Sequence, residues 1–229
     1  MASHLMKAAD LVNTTSGAVR SLITSGRLPP GAPVSERLVA ARLGVSRGTA
    51  RGALRLLSQE GFVRSSSPGR YSRFRVAPLT AADLTDLTIL MAAIDSAGAR
   101  LAAALDPIAR ARLVIRLKAI NDKLAAALAK GDQRAAREYD AEFHRTYVAR
   151  AAGARHQGEH RLLEPELTRY ALTYQQALSG VSVAGHRRII MAIAAGRGAA
   201  AQAAAEQNWL DGLRRAVQEV AVIGERGSW

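Results

Sequence analysis

The helix-breaking residues of this chain are concentrated in its first third, where five of the seven prolines lie before residue 79. Gly44 and Gly61 divide the same segment further into short elements. The rest of the chain is rich in alanine, has apolar residues at helical spacing and shows no alternation typical of strands. We therefore predict a mostly α protein with two domains, at residues 7–78 and 79–223, the second being an all-α antiparallel helical bundle.

Six helices are predicted in the second domain. Most breaks between them contain a glycine, and one contains the pair Asp106-Pro107; each of these can cap or end a helix. Pro165 is expected to kink the fourth helix or to mark its first turn. The predicted helices are Ala81–Leu105, Asp106–Lys130, Asp132–Ala152, Glu159–Ser179, Val181–Ala195 and Gly198–Ile223.

Positive charge is concentrated in the first domain. Of the 32 Lys and Arg residues, 12 lie before residue 79, against only 3 of the 19 Asp and Glu residues. This favours an anionic partner, either nucleic acid or lipid headgroups. Because no stretch of about 18 residues is apolar enough to span a bilayer and no secretory signal is evident, we expect a cytoplasmic protein with no membrane partner. The absence of cysteine excludes disulfides, thiolate zinc ligands and a cysteine nucleophile.

Two short helices separated by a glycine turn are predicted in the basic domain. Ser35 can cap a helix that ends at Leu43, Gly44 supplies the turn, and Ser46 can cap a second helix running to about Glu60. This spacing is typical of a helix-turn-helix. After it, residues 62–64 and 73–76 alternate like two strands of a hairpin, which would add a basic wing.

The second of these helices has an apolar side and a basic side. Arg47, Arg51 and Arg55 recur every four residues, and none has an acidic partner four residues away. The stripe begins at the helix N-terminus, where recognition helices contact base edges, so it favours DNA binding over the alternative of a solvated face. Gly48 and Gly52 border the stripe and are expected to let the backbone approach a groove wall.

The basic domain contains a dense series of motifs, which are Gly26-Arg27-Leu28-Pro29-Pro30-Gly31, Ser35-Glu36-Arg37-Leu38, Ala41-Arg42-Leu43-Gly44-Val45-Ser46-Arg47, Arg51-Gly52-Ala53-Leu54 and Glu60-Gly61-Phe62-Val63. This pattern resembles the winged helix-turn-helix of the GntR family of bacterial transcription regulators. The resemblance implies DNA contacts from Arg37, Arg47, Thr49 and Arg51, with the wing tip near Gly69 reaching the minor groove.

Side-chain chemistry agrees with these contacts. Arginine can pair with guanine through two hydrogen bonds, and the hydroxyl of Ser46 or Thr49 can bind a phosphate. Gly48 and Gly52 stand where relatives usually have a larger residue and a glutamate, so the target sequence is expected to differ from that of close relatives.

The second domain contains a set of residues that can bind a metal. Asp140 and His144 lie four residues apart and therefore share one helix face, His186 begins another helix, and Asn208 follows it by 22 residues. A carboxylate and two imidazoles on facing helices are a reasonable divalent-metal set. Histidines that are only surface or core residues are the alternative.

The segments Tyr139-Asp140-Ala141-Glu142-Phe143-His144 and His186-Arg187-Arg188-Ile189 resemble the ligand-binding FCD domain of FadR-like GntR regulators. In many such domains an aspartate and three histidines hold a metal, and a carboxylate effector completes its coordination. Asp140, His144 and His186 match three of these positions, whereas Asn208 departs from the histidine pattern at the fourth. The resemblance therefore implies a divalent ion such as zinc, nickel or manganese, with an amide oxygen as a weaker ligand.

An organic acid is the expected effector, although Met91 stands where many relatives place an arginine that points toward an acidic ligand. Arg169, Tyr170 and Tyr174 are expected to line the cavity, with an outer packing face as the alternative. His156 and His160 are expected to be solvated in a loop. Trp209 is expected to anchor the core or a dimer interface.

These features favour a transcription regulator, acting as a repressor, that binds a palindromic operator in double-stranded DNA as a homodimer. A small molecule bound in the bundle would change its operator affinity. We do not expect an enzyme. The alternatives are a metal-dependent hydrolase, for which no general base is evident, and an architectural protein that binds DNA through charge alone.

Overall fold

The computed structural model describes residues 2–65, 73–174 and 183–227, with side chains from Asp10 onward. It confirms a mostly helical chain with an N-terminal winged helix-turn-helix followed by an all-α domain. The helices and strands are α1 (Ala2–Thr24), β1 (Pro33–Val34), α2 (Glu36–Leu43), α3 (Arg47–Gln59), β2 (Val63–Ser65), β3 (Phe74–Val76), α4 (Ala81–Ala103), α5 (Pro107–Ala129), α6 (Gln133–Ala151), α7 (Ala154–Thr173), α8 (Val183–Ala194) and α9 (Gly198–Ile223).

The chain divides into two compact units. The first contains the residues up to Ala81 together with Thr168–Thr173 and the segment from Gly224 onward. The second contains Ala82–Leu167 and Tyr174–Ile223. In the parts of the chain that the structure describes, none of the helices is long and apolar enough to cross a membrane.

The helix-turn-helix forms as its capping residues predict. The Ser35 hydroxyl accepts a hydrogen bond from the Leu38 amide at 3.1 Å, and the Ser46 hydroxyl accepts one from the Thr49 amide at 3.1 Å. Gly44 ends α2 with a φ of 66°, a conformation that residues with a Cβ rarely adopt. Both N-caps and the glycine turn predicted from the sequence are confirmed.

A small antiparallel sheet completes the first unit. Its strand order is β1-β3-β2, and Arg64 pairs with Arg75 across β2 and β3. The predicted hairpin is confirmed in its strands, whereas the connection that contains Gly69 lies outside the described residues. Neither β1 nor α1 was expected, yet Val19 and Ile23 of α1 are buried in the core of this unit.

The helices of the second unit lie close to their predicted bounds. The exception is α7, which begins at Ala154 rather than at Glu159. Only Ala152 and Gly153 separate it from α6, because the extended backbone of Ala152 ends α6 abruptly. Pro165 consequently lies inside α7, and the expectation that it marks the first turn is wrong.

The directions of the central helices follow from two contacts. Arg110 at the start of α5 lies beside Gly196 after α8, where a Cβ would be 3.1 Å from Nη1. The Asn121 amide, further along α5, donates to the Val183 carbonyl at 3.4 Å, so α5 and α8 are antiparallel. A short turn at Gly131 makes α6 antiparallel to α5. Therefore α6 and α8 run in the same direction.

Candidate DNA interface and metal centre

The exposed side of α3 carries the predicted DNA contacts. Arg47 and Arg55 of α3 are exposed, as is Arg37 of α2. The hydroxyls of Ser46 and Thr49 lie 2.9 Å apart at the start of α3. A helix N-terminus with hydroxyls and free amide groups is a natural place for a phosphate. The structure thus brings four of the predicted DNA-binding side chains to the beginning of α3, and α2 adds Arg37. The four are Ser46, Arg47, Thr49 and Arg51.

Arg51, the next residue of the stripe, has an acidic partner on another helix. Its Nε donates to Glu36 Oε1 at 2.7 Å and its Nη2 donates to Oε2 at 3.0 Å. These hydrogen bonds lower the pKa of Glu36 and raise that of Arg51. Two parallel hydrogen bonds fix the plane of the guanidinium and leave the donors of Nη1 for another ligand. Spacing within α3 could not reveal this pair, because Glu36 belongs to α2.

The two glycines of α3 have different surroundings. A Cβ at Gly52 would lie 3.1 Å from Val12 Cγ2 of α1, so the absence of a side chain lets α1 pack closely on α3. The expectation that Gly52 approaches a groove wall is therefore wrong. A Cβ at Gly48 would meet only the Ser46 hydroxyl oxygen, at 3.7 Å. For Gly48 the groove approach stays a prediction.

Asp140, His144 and His186 come together in the second unit. One ligand atom from each lies within 4.8 Å of the others. His186 Nε2 is 3.2 Å from Asp140 Oδ1, and the His186 ring stacks on Phe143 with centroids 3.7 Å apart. The spacing of four residues on α6 and the position of His186 at the start of α8 produce this cluster.

Asp95 of α4 supports the cluster through a hydrogen bond with His144. Its Oδ2 lies 2.9 Å from His144 Nδ1 and accepts hydrogen bonds from the Tyr147 hydroxyl and, at 2.8 Å, from Trp209 Nε1. Nδ1 of His144 therefore carries its hydrogen toward Asp95, which leaves Nε2 as the nitrogen available to a ligand. A carboxylate behind a histidine ligand fixes the ring and its tautomer. Sequence reasoning missed Asp95.

Burial and the carboxylate set the charges of this group. Burial alone raises the pKa of Asp95, but the charge and hydrogen bond of His144, together with the His160 and Tyr147 side chains, outweigh it and keep that pKa well below its usual range. Burial likewise lowers the pKa of His144, and Asp95 outweighs it, so the net shift is upward. Burial lowers the pKa of His186 and favours the neutral imidazole that a metal requires.

Several polar atoms of α8 and α9 are buried without a hydrogen bond. Within the described part of the chain, His186 Nδ1 and Asn208 Oδ1 have no hydrogen-bond partner, and His186 Nε2 has only the Asp140 carboxylate at 3.2 Å, outside hydrogen-bond geometry. Buried polar atoms of native proteins are normally satisfied, so these atoms point to a missing ligand. A carboxylate and two imidazoles form a donor set that suits a divalent ion, and Asn208 adjoins Trp209, whose ring lies 5.0 Å from that of His144.

The residues predicted to bind the effector are divided between the two units. Met91 and Tyr174 are buried in the second unit. Arg169 and Tyr170 belong to the first, where Arg169 donates to the Ala77 carbonyl at 2.6 Å and the Tyr170 hydroxyl donates to the Thr80 carbonyl at 3.1 Å. The structure brings Arg169 and Tyr170 to the segment that follows the wing.

The histidines expected in a loop lie in α7. His160 is buried with Nε2 3.5 Å from Asp95 Oδ1, and His156 Nε2 lies 2.7 Å from the Ile94 carbonyl oxygen. The expectation that they are solvated is wrong, because α7 begins five residues earlier than Glu159 and packs this face inward. Trp209 lies beside His144: its Nε1 donates to Asp95, and its ring centroid is 5.0 Å from that of His144.

A winged helix-turn-helix with a basic helix, followed by a helical domain with an internal cluster of one carboxylate and two histidines, is typical of a ligand-responsive DNA-binding regulator. Residues 11–69 match the family model described as bacterial regulatory proteins, gntR family, and residues 86–211 match that of the FCD domain. The chain belongs to the GntR family and is a transcriptional regulator with an FCD effector-binding domain, as the sequence resemblance implied.

Individual relatives agree with this assignment. The chain is 28% identical over 152 residues to an uncharacterized HTH-type transcriptional regulator of Agrobacterium vitis from the TAR-I ttuE-ttuC' intergenic region, covering 66% of this chain and 87% of that protein. The E. coli McbR/YncC structure has a TM-score of 0.66 at 18% identity, covering 93% of this chain and 96% of that one. A GntR regulator of Rhodococcus sp. RHA1 has a TM-score of 0.64 at 24% identity, covering 93% and 98%. At these identities the two structures show the fold alone.

Proposed function

We propose that this regulator is a cytoplasmic repressor that binds a palindromic operator as a homodimer and releases it when a small organic acid binds in the FCD domain. The observation that carries the proposal is the presence, in one chain, of an arginine stripe at the start of α3 and the Asp140–His144–His186 cluster, in which both histidines are buried. The cluster serves as a sensor and the chain performs no catalysis.

The DNA-reading residues divide into two groups by their chemistry. Arg47, Arg51 and Arg37 offer paired N–H donors for base edges, which carry sequence information. Ser46 and Thr49 offer hydroxyls for a phosphate and fix the position of α3 in the groove. Gly69, outside the described residues, is proposed at the tip of the wing.

A divalent ion is proposed between Asp140, His144, His186 and Asn208. The ion supplies a positive charge that a carboxylate effector can ligate. The residues of the chain do the rest: Asp95 orients His144, Phe143 orients His186, and burial keeps His186 neutral. The effector and the operator bind the same two-state protein. An effector that prefers the state with low operator affinity therefore weakens operator binding. The operator weakens effector binding by the same factor.

Metal binding is expected to depend on each imidazole. His144→Ala should lose most of the affinity, since the helix offers no replacement ligand, whereas Asn208→His should bind zinc more tightly than the parent because imidazole is the better donor. Thermal midpoints measured with added zinc, nickel or manganese check this, because a ligand that binds the folded state raises the midpoint. Asn208→Ala serves as the matched control for the fourth position.

Two results would contradict the metal proposal. One is a parent protein with no midpoint shift for any of the three ions and no metal in the purified sample. The other is an Asn208→His variant that binds zinc no better than Asn208→Ala. Operator binding is measured on the same preparations, so that the regulator and its metal are judged separately.

A dimer is expected because one winged domain touches too few base pairs for useful specificity. The second unit exposes Ile89 and Leu90 on α4 and Ile108 and Ile115 on α5, which is apolar surface suited to an interface. Binding-site selection from random DNA should return a palindrome, and light scattering at micromolar concentration should give twice the mass of the chain. A monomer both free and on a single half-site would contradict the proposal.

A further inference from the structure

Two unpartnered polar atoms of the FCD domain are not explained by the metal cluster. Arg137 Nη1 and Asn121 Oδ1 are both buried, and neither has a hydrogen-bond partner among the described residues. Arg137 is partly buried as a whole residue, whereas Asn121 is 2% exposed. A buried guanidinium N–H that donates to nothing is costly, so its retention calls for a ligand.

Both atoms lie about one helical turn from the Asp140–His186 contact, in what we call the adjacent layer of the domain. Arg137 is one turn before Asp140 and shares the face of α6 that carries His144, seven residues further on. Asn121 contacts Val183, which is one turn before His186. Since α6 and α8 run in the same direction, Arg137 and Asn121 lie on the same side of the Asp140–His186 contact.

The apolar packing of this layer agrees with that placement. Val183 packs against a buried cluster that contains Ala136, the neighbour of Arg137, and Leu124, one turn after Asn121. One helical turn corresponds to about 4.5–5.4 Å along the axis. A short carbon chain spans that distance, so one small molecule can reach both the cluster and the layer beside it.

We propose that Arg137 and Asn121 form a second subsite for the effector. One carboxylate of the effector lies at the Asp140–His144–His186 cluster, and Arg137 receives its second carboxylate. The amide nitrogen of Asn121 donates to the Val183 carbonyl, and its amide oxygen has no partner among the described residues. An amide oxygen can only accept a hydrogen bond, so it would bind a hydroxyl group of the effector. The effector class is therefore a short hydroxylated dicarboxylate. This inference rests on the proposed sensor role of the domain.

Three acids with the same four-carbon chain test the two contacts separately. Butyrate has one carboxylate, succinate has two, and malate adds a hydroxyl to succinate. Calorimetric titration of the full-length protein in the presence of zinc is expected to give affinities that rise in this order, by about tenfold at each step if each contact is made. Arg137→Met should reduce succinate to the affinity of butyrate, and Asn121→Leu should reduce malate to that of succinate.

A matched control and a second readout distinguish a binding role from a structural one. Arg134→Met removes an exposed arginine one turn earlier on α6 and should change neither the affinities nor the thermal midpoint. Because Arg137 Nη1 has no hydrogen-bond partner among the described residues, Arg137→Met is expected to raise the midpoint of the effector-free protein while it removes the stabilisation by succinate.

Equal binding of the three acids to the parent, or no binding of succinate and malate, would overturn the inference. A lowered midpoint for Arg137→Met with an unchanged preference for succinate would also overturn it and assign Arg137 to the fold. Operator binding by the parent protein is measured separately. If the parent binds its selected operator, these outcomes contradict only the subsite; if it binds no operator, the proposed function itself is contradicted.

Discussion

Asp95→Leu is expected to lower the free energy of unfolding by about 3–5 kcal/mol, the usual cost of removing one partner from a buried charged pair. The change leaves His144 Nδ1, the Tyr147 hydroxyl and Trp209 Nε1 without their common acceptor at a position that is 0% exposed. Denaturant unfolding of the metal-free protein measures it. Asp86→Leu, at an exposed site of the same helix, is the control and should change stability by about 0.5 kcal/mol or less.

A conservative variant separates the positioning role of Asp95 from its contribution to folding. Asp95→Asn keeps the shape but loses the charge, and its amide group can present a hydrogen to His144 in place of a lone pair. The tautomer of His144 is then no longer fixed, and metal affinity is expected to fall by about 10- to 100-fold. Competition with a chelator of known affinity measures the loss. A folded Asp95→Asn variant with parental metal affinity would show that Asp95 is purely structural.

Arg47→Ala and Arg51→Ala should each lose about 1–3 kcal/mol of operator binding, and both should relax base preference. Arg47 is exposed at the start of α3, and Arg51 is held there by Glu36 with two N–H donors still available at Nη1. Fluorescence anisotropy on the selected operator and on a scrambled duplex measures the difference. Arg112→Ala, an exposed arginine of the second unit, makes the same change in net charge and should have little effect.

The outcome that assigns these arginines to phosphates is a loss of the same size on both duplexes. Repeating the titrations at several salt concentrations adds a second criterion. If an arginine contacts a phosphate, its removal should reduce the slope of log affinity against log salt concentration by about one. If neither operator affinity nor salt dependence changes, α3 is not the recognition helix.

Local rules were enough to predict most elements of the fold. Ser35, Gly44 and Ser46 act through hydrogen bonds and backbone angles within a few residues, so their effect can be inferred from the sequence alone. Strand β1 has only two residues, too few for alternation, and its pairing with β3 depends on contacts distant in the chain. The same limit applies to the α1–α3 packing at Gly52.

The sequence predicted that Asp140, His144 and His186 come together, whereas it did not predict the residue that supports them. Asp140 and His144 are one turn apart, and that regularity makes them visible in the sequence. Asp95 lies 49 residues before His144, and nothing in the spacing connects the two. Its only local sign is a lone acid on the inward face of α4, between the buried residues Met91 and Gly98. A charge at a core position is costly unless paired, which is the physical reason to search for its partner.

The carboxylate of Asp95 joins three helices, since its donors come from α6 and α9 while it belongs to α4 itself. None of these helices can move away alone without leaving a buried donor or acceptor unsatisfied, so the three should open together in hydrogen exchange.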